Sequence, residues 1–139
     1  MYNIATWPND CKLGAYTLKS AALIAADTTG TSYELGKGKF RVVVTWTACE
    51  VDNNNELYNI VLEANTRAAT STYYKIGALG AYGAAEVTGD TADTATSGAY
   101  ECIIDNPYDY QVRYRVYVNG TMTNGMNFSV IAYPVATKY

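Results

Sequence analysis

Residues 111–118 alternate with a strict period of two: Val112, Tyr114, Val116 and Val118 share one face, and Gln111, Arg113, Arg115 and Tyr117 the other. That period marks a half-buried strand, because successive side chains of an extended backbone point to opposite sides. The same pattern returns a few residues later. Met126, Phe128, Val130 and Ala132 alternate with Asn127, Ser129, Ile131 and Tyr133, until Pro134 removes a ladder donor and closes the strand. Asn119-Gly120 and Asn124-Gly125 stand between the two runs. Asn-Gly tolerates positive φ at both central positions of a turn, so Asn119-Gly120 predicts a type I′ hairpin and places both strands in a sheet-edge region.

Upstream, residues 40–51 form the longest such run, with Phe40, Val42, Val44, Trp46 and Ala48 on one side and Arg41, Val43, Thr45, Thr47, Cys49 and Val51 on the other. Both sides are partly apolar, which predicts a central strand. Residues 52–56 are polar and reverse the chain into a second run, where Tyr58, Ile60, Leu62 and Ala64 alternate with Leu57, Asn59, Val61 and Glu63; the expectation is a long hairpin. Residues 16–26 and 32–35 read as strands joined by a turn at 27–30, with a short Ala-rich helix over 20–26 as the alternative. A polar loop at 65–71, a strand at 73–79, bends at Gly77, Gly80 and Gly83, a loop at 89–98 and a strand from Ala99 complete the chain. Residues 1–14 carry no period and contain Trp7-Pro8 and Asn9-Asp10, an irregular arm or lead-in. No long amphipathic helix and no repeat interrupts this pattern. About eight short strands with Gly and Asn turns predict an all-β, single-domain β-sandwich of jelly-roll type over residues 15–139, preceded by the arm at 1–14.

A chain of 139 residues is one domain by length and buries about two-thirds of its unfolded surface. Charged residues make up 17%, below the usual ~25%, so much of the surface is Thr, Ser, Asn, Gly and the rings of 14 tyrosines. The net charge is −3 and only Lys37, Lys39 and Arg41 cluster, which argues against nucleic acid as a partner, since phosphates need a concentrated basic patch. The longest apolar stretches are too short for a helix to cross a bilayer, so no membrane partner is expected. Polar residues open the chain with no apolar segment behind them, so no signal peptide is expected. Cys11, Cys49 and Cys102 cannot all pair, and the reading is reduced thiols and cytosolic synthesis.

Chemistry is scarce. There is no histidine, which removes the commonest general base and a principal zinc ligand. No Cys-x-x-Cys and no Gly-rich phosphate loop occurs, so no cofactor and no metal is expected, and the chain reads as a non-enzyme. A carboxylate pair such as Glu63 with Glu101 is what a glycosidase would need. Residues 52–56 offer some oxygen ligands but lack the glycine and the twelfth-position Glu of an EF-hand. Tyr2 and Trp7, aromatics outside any strand pattern, either pack back on the domain or dock on a neighbour.

Taken together, Gly98-Ala99-Tyr100, Asp105-Asn106, the YRVYV string at 114–118, Gly120-Thr121 and Gly125-Met126-Asn127-Phe128 make the chain resemble the small jelly-roll cement or decoration proteins of tailed-bacteriophage capsids. Leu35-Gly36-Lys37-Gly38 before Phe40, and Glu56-Leu57-Tyr58 with Ile60 and Leu62, extend the resemblance over residues 32–133. Asn124 stands where Thr is expected, and residues 1–14 match nothing in the family. The resemblance implies a virion protein, made in the bacterial host cytoplasm, that binds the outside of the shell as a homodimer or homotrimer and bridges major capsid protein subunits. Tyr2, Trp7 and Lys12 are then the candidates for shell contact, and Arg113, Arg115 and Tyr117 for contact between subunits. The rival readings are another virion component, such as a tail or fibre subunit, a small glycosidase or lyase, and a carbohydrate-binding β-sandwich using Tyr73, Tyr74, Tyr82, Tyr108 and Tyr110 clustered in loops.

Overall fold

A computed structural model describes residues 14–50, 56–83 and 98–135. The arm with Tyr2, Trp7 and Lys12, nearly all of the 52–56 tip and most of the 89–98 loop lie outside the described residues. Nine strands follow one another: β1 (Tyr16–Ile24), β2 (Thr28–Thr29), β3 (Tyr33–Glu34), β4 (Gly38–Cys49), β5 (Leu57–Thr66), β6 (Ala69–Gly83), β7 (Gly98–Asn106), β8 (Gln111–Asn119) and β9 (Met126–Pro134). No helix occurs among the described residues, so residues 20–24 belong to β1 and the Ala-rich helix is excluded. The protein is an all-β sandwich of two antiparallel sheets, one ordered β1-β9-β4-β7 and the other β2-β8-β5-β6, with β3 also on β8.

The period-two faces meet in the middle. Phe40, Val42 and Val44 of β4 and Met126, Phe128, Val130 and Ala132 of β9 are fully buried from one sheet, and Tyr58, Ile60, Leu62 and Ala64 of β5 with Val112 and Val116 of β8 from the other. Tyr114 and Phe128 lock the layers with an edge-to-face contact, centroids 6.2 Å apart at 87°, an arrangement aromatic quadrupoles favour. Gly30 lies against the Tyr114 ring, where a Cβ would come within 2.3 Å of Cε1.

Strand positions match the alternation, whereas strand partners do not. β4 and β5 fall in different sheets, and so do β8 and β9, so neither expected hairpin forms. Alternation selects which face is buried but is silent on which neighbour supplies the ladder. Asn119 does not adopt positive φ, which rules out the type I′ turn; between β8 and β9 only Gly120 (φ 85°) and Gly125 (φ 91°) do. The chain crosses between sheets instead, held by Glu50. Its buried carboxylate accepts main-chain N–H groups from Thr123 (2.9 Å), Asn124 and Gly125 (2.8 Å). β8 and β9 are therefore interior strands, not an edge region: β9 lies between β1 and β4, and β8 between β2/β3 and β5. β4 is central, as its two apolar sides require, with β9 and β7 beside it.

Three local departures also have physical causes. A bulge between Trp46 and Ala48 shifts the register, so Cys49 turns into the core, where a small apolar side chain is expected, although it shares the parity of the exposed Thr45 and Thr47. The polar stretch 65–71 is not a loop: β5 and β6 meet in a two-residue turn, because the buried Asn65 replaces ladder bonds with its amide. Asn65 Nδ2 donates to the Thr70 carbonyl (2.8 Å) and to Gln111 Oε1 (3.0 Å), while its Oδ1 accepts from the Gln111 N–H (2.7 Å). Inside the presumed 27–30 turn, Thr28 and Thr29 form a short strand on β8, and Asp27 Oδ1 accepts the Val118 N–H (2.7 Å).

Candidate interaction face on the outer side of one sheet

The outward residues of β8 and β5 face each other in register: Arg113 beside Glu63, Arg115 beside Val61, Tyr117 beside Asn59. Glu63 is nearly buried and holds both cations, with Arg113 Nε at 3.0 Å and an Arg115 guanidinium nitrogen at 3.8 Å. Arg113 also lies over the Tyr73 ring, its Cζ 3.5 Å from the centroid, and Arg115 Cζ sits 4.8 Å from the Tyr117 centroid. The Tyr73 hydroxyl reaches across the sheet to donate to Gln111 Oε1 (3.2 Å) and bonds the Ser32 hydroxyl. The three candidate subunit-contact residues thus share one face, with different roles. Arg113 is 20% exposed and committed inward, whereas Arg115 at 38% and Tyr117 at 40% remain open to a partner.

Next to them β6 slips register twice against β5, opposite Ile60/Val61 and Leu62/Glu63. There Gly80 has φ +117°, a backbone conformation open to glycine at little cost. A shallow cavity of about 340 Å³ lies there, lined by Asn59, Val61, Lys75, Ala78, Ala81 and Tyr117. Its aliphatic floor, one amide and one ammonium suit a protruding side chain that ends in a carboxylate or hydroxyl.

The same device recurs on every arginine of the chain. Arg41 pairs with Glu101 (3.2 Å) and lies 4.2 Å from the Tyr133 centroid, and Arg67 pairs with Glu34 and lies 4.5 Å from the Tyr110 centroid. Each guanidinium is held by a carboxylate and a tyrosine ring at once. Side chains so held lose little freedom on docking.

The carboxylates Glu63 and Glu101 are not brought together. They serve arginines on the outer faces of opposite sheets. Among the described residues no group of three or more Cys, Asp or Glu is placed to hold a metal. The five tyrosines whose clustering in loops would favour the carbohydrate-binding reading divide differently. Tyr73, Tyr74 and Tyr82 lie on β6, and only Tyr108 and Tyr110 are in a loop. Tyr74 stacks on Tyr108 (4.9 Å, 17°), while Tyr82 packs against Trp46 (4.7 Å) and donates to the Leu79 carbonyl (2.7 Å).

Glu63, Tyr73 and Lys75 are the members of this face that sequence reasoning did not assign to it. The odd-numbered positions of 57–63 were legible as an outward row, but the β5–β8 register that sets Glu63 beside Arg113 is a tertiary fact. The fold and this face define a β-sandwich with a preorganised Arg/Tyr surface. Neither a family model nor a curated protein sequence matches the chain.

Proposed function

We propose that the protein is a structural virion component, a decoration or cement protein that adds to the outside of a tailed-phage capsid and bridges major capsid subunits. The observation that carries this reading is the outer face of the β2-β8-β5-β6 sheet, where Arg115 and Tyr117 are presented on a rigid sheet and backed by Glu63, Arg113 and Tyr73. Arg and Tyr are the residues enriched at interface hot spots, and a sandwich that holds them in place loses little entropy on docking. Repeated weak contacts on a symmetric lattice then sum to firm attachment. The strand order supports a jelly roll: six of the eight strand-to-strand connections pass between the two sheets, as the wrapped arrangement requires, and β5–β6 is a hairpin. A non-catalytic role accords with Glu34, Glu63 and Glu101, each of which is paired with an arginine.

Sedimentation with shells that lack the protein tests this. Saturable binding at a fixed ratio to the major capsid protein, with a raised shell melting temperature, is expected. R115E combined with Y117A should weaken assembly about tenfold or more, the loss typical of hot-spot residues. No binding would sink the proposal.

One observation favours carbohydrate binding as a second reading. The stacked Tyr74 and Tyr108 place a 43%-exposed ring at the end of the sandwich that carries Arg67 and Tyr110. A glycan array bound through Tyr74, and lost in Y74A, would shift the weight to it.

A further inference from the structure

Each sheet has two edges, and three of the four carry a recognisable guard. β1 is broken by register shifts around Lys19, a buried lysine. β2 and β3 are two residues long, and β6 slips register at three places along β5. Bulges, short strands and inward charges are what natural sheets use to prevent strand addition. β7 has none of these. It pairs with β4 through nine consecutive residues, Gly98 to Asn106, without a shift, and no described strand lies on its other side. Ala99, Tyr100, Glu101, Ile103 and Asp105 are exposed along it. Tyr100 and Ile103 account for two of the five exposed large hydrophobic side chains among the described residues.

The strand is complementary to itself. Consider antiparallel pairing with β7 of a second copy that keeps both outer faces on one side of the joined sheet. Centring on Glu101 opposes it to its own copy, and centring on Ile103 opposes Glu101 to Asp105. Centring on Cys102 engages all nine residues, Gly98 against Asn106, and sets Glu101 beside Ile103 and Asp105 beside Ala99, so no two acids are directly opposed. Each acid also has a cation in its own sheet: Arg41 lies 3.2 Å from Glu101, and Lys39 is the register partner of Asp105. We infer that β7 is a dimerisation edge, joining two copies into one continuous eight-stranded sheet across a two-fold axis at Cys102. The inference deepens the homodimer that the resemblance to capsid decoration proteins implies, but needs no shell. Copies joined at β7 leave the Arg115–Tyr117 face free for a further neighbour.

Sedimentation equilibrium of the purified full chain, alone and as variants, tests it. Wild type is expected to dimerise. I103E opposes Glu to Glu101 of the second copy twice per dimer and should weaken it about tenfold, while I103K opposes Lys to Glu101 and should keep it. A surface that merely used Ile103 as an apolar contact would lose both. In a C11S chain, mild oxidation should link Cys102 to Cys102, the two thiols giving two protons and two electrons to the added oxidant; directly opposed residues stand about 4.5–5.5 Å apart at Cα, within disulfide reach. Circular dichroism checks the fold of I103E; should it not fold, A99D, which opposes Asp105 of the second copy, takes its place. A monomer at every concentration, a dimer indifferent to I103E or A99D, equal loss in I103E and I103K, or a dimer with no Cys102 link overturns the inference. Because shells play no part, a failure of capsid binding leaves this result standing, and the reverse.

Discussion

Two buried charges show how single residues set local structure. Glu50 is buried, and burial pushes its carboxyl up, but the N–H groups of Gly125, Thr123 and Asn124 together outweigh that and leave its pKa below the usual value. A carboxyl whose folded pKa is lowered contributes stability above its unfolded value of about 4.3, which is lost as pH falls through the folded value. E50Q should cost about 2 kcal/mol at neutral pH and flatten the acid limb below about pH 4; urea midpoints from pH 7 downward measure both. Lys19 is the opposite case. Its ammonium donates to the carbonyls of Phe128 (2.7 Å), Ala22 (2.8 Å) and Ser20 (3.1 Å), freed where β1 bulges, and burial lowers its pKa to about 8. Between there and the unfolded value near 10.5 the unfolded chain binds more protons, so Lys19 makes stability rise with pH. Cys49, pushed up to about 11 by burial and by Glu56, slopes the other way in part of that window. The readout is therefore wild type minus K19M, which should rise from pH 8 to 10.

At the scale of elements, the β5–β8 pair carries the contact face, and its charges differ in worth according to burial. Glu63 is 7% exposed at its side chain and Arg113 20%, so E63A leaves a poorly hydrated guanidinium and should cost about 3 kcal/mol. R115A, at a side chain 38% exposed, should cost under about 1 kcal/mol. Equal losses in denaturant titrations of the two variants would contradict this division between support and contact. Within β6, Gly80 has φ +117° and a Cβ there would come within 2.6 Å of the Tyr82 hydroxyl. G80A should cost at least about 1 kcal/mol. Its effect on the neighbouring cavity can be followed through Tyr117 chemical shifts.

At the scale of the whole molecule, the residues themselves disclosed a good deal. Period-two runs in β4, β5, β8 and β9 declared strands and named the core: Phe40, Val42, Val44, Tyr58, Ile60, Leu62, Val112, Val116, Phe128 and Val130 are all fully buried on the faces that alternation assigns. Absence of any helical period settled the class, and the parity of Arg113, Arg115 and Tyr117 put them together outside the core. Parity is a local property of extended backbone, so sequence suffices for it. Partnership is not local. β8 lies beside β5, β2 and β3, never beside β9, and Glu50 captures three N–H groups of the loop that carries the chain from one sheet to the other. That choice sets Glu63 under two arginines, makes β8 and β9 interior, and leaves β7 as an edge with no described strand beyond it. The amino-acid sequence determined which residues extend and which face they bury; only the tertiary structure decided which strands lie side by side, since ladder bonds between main chains are the same for every pair and packing of the two buried faces selects among them.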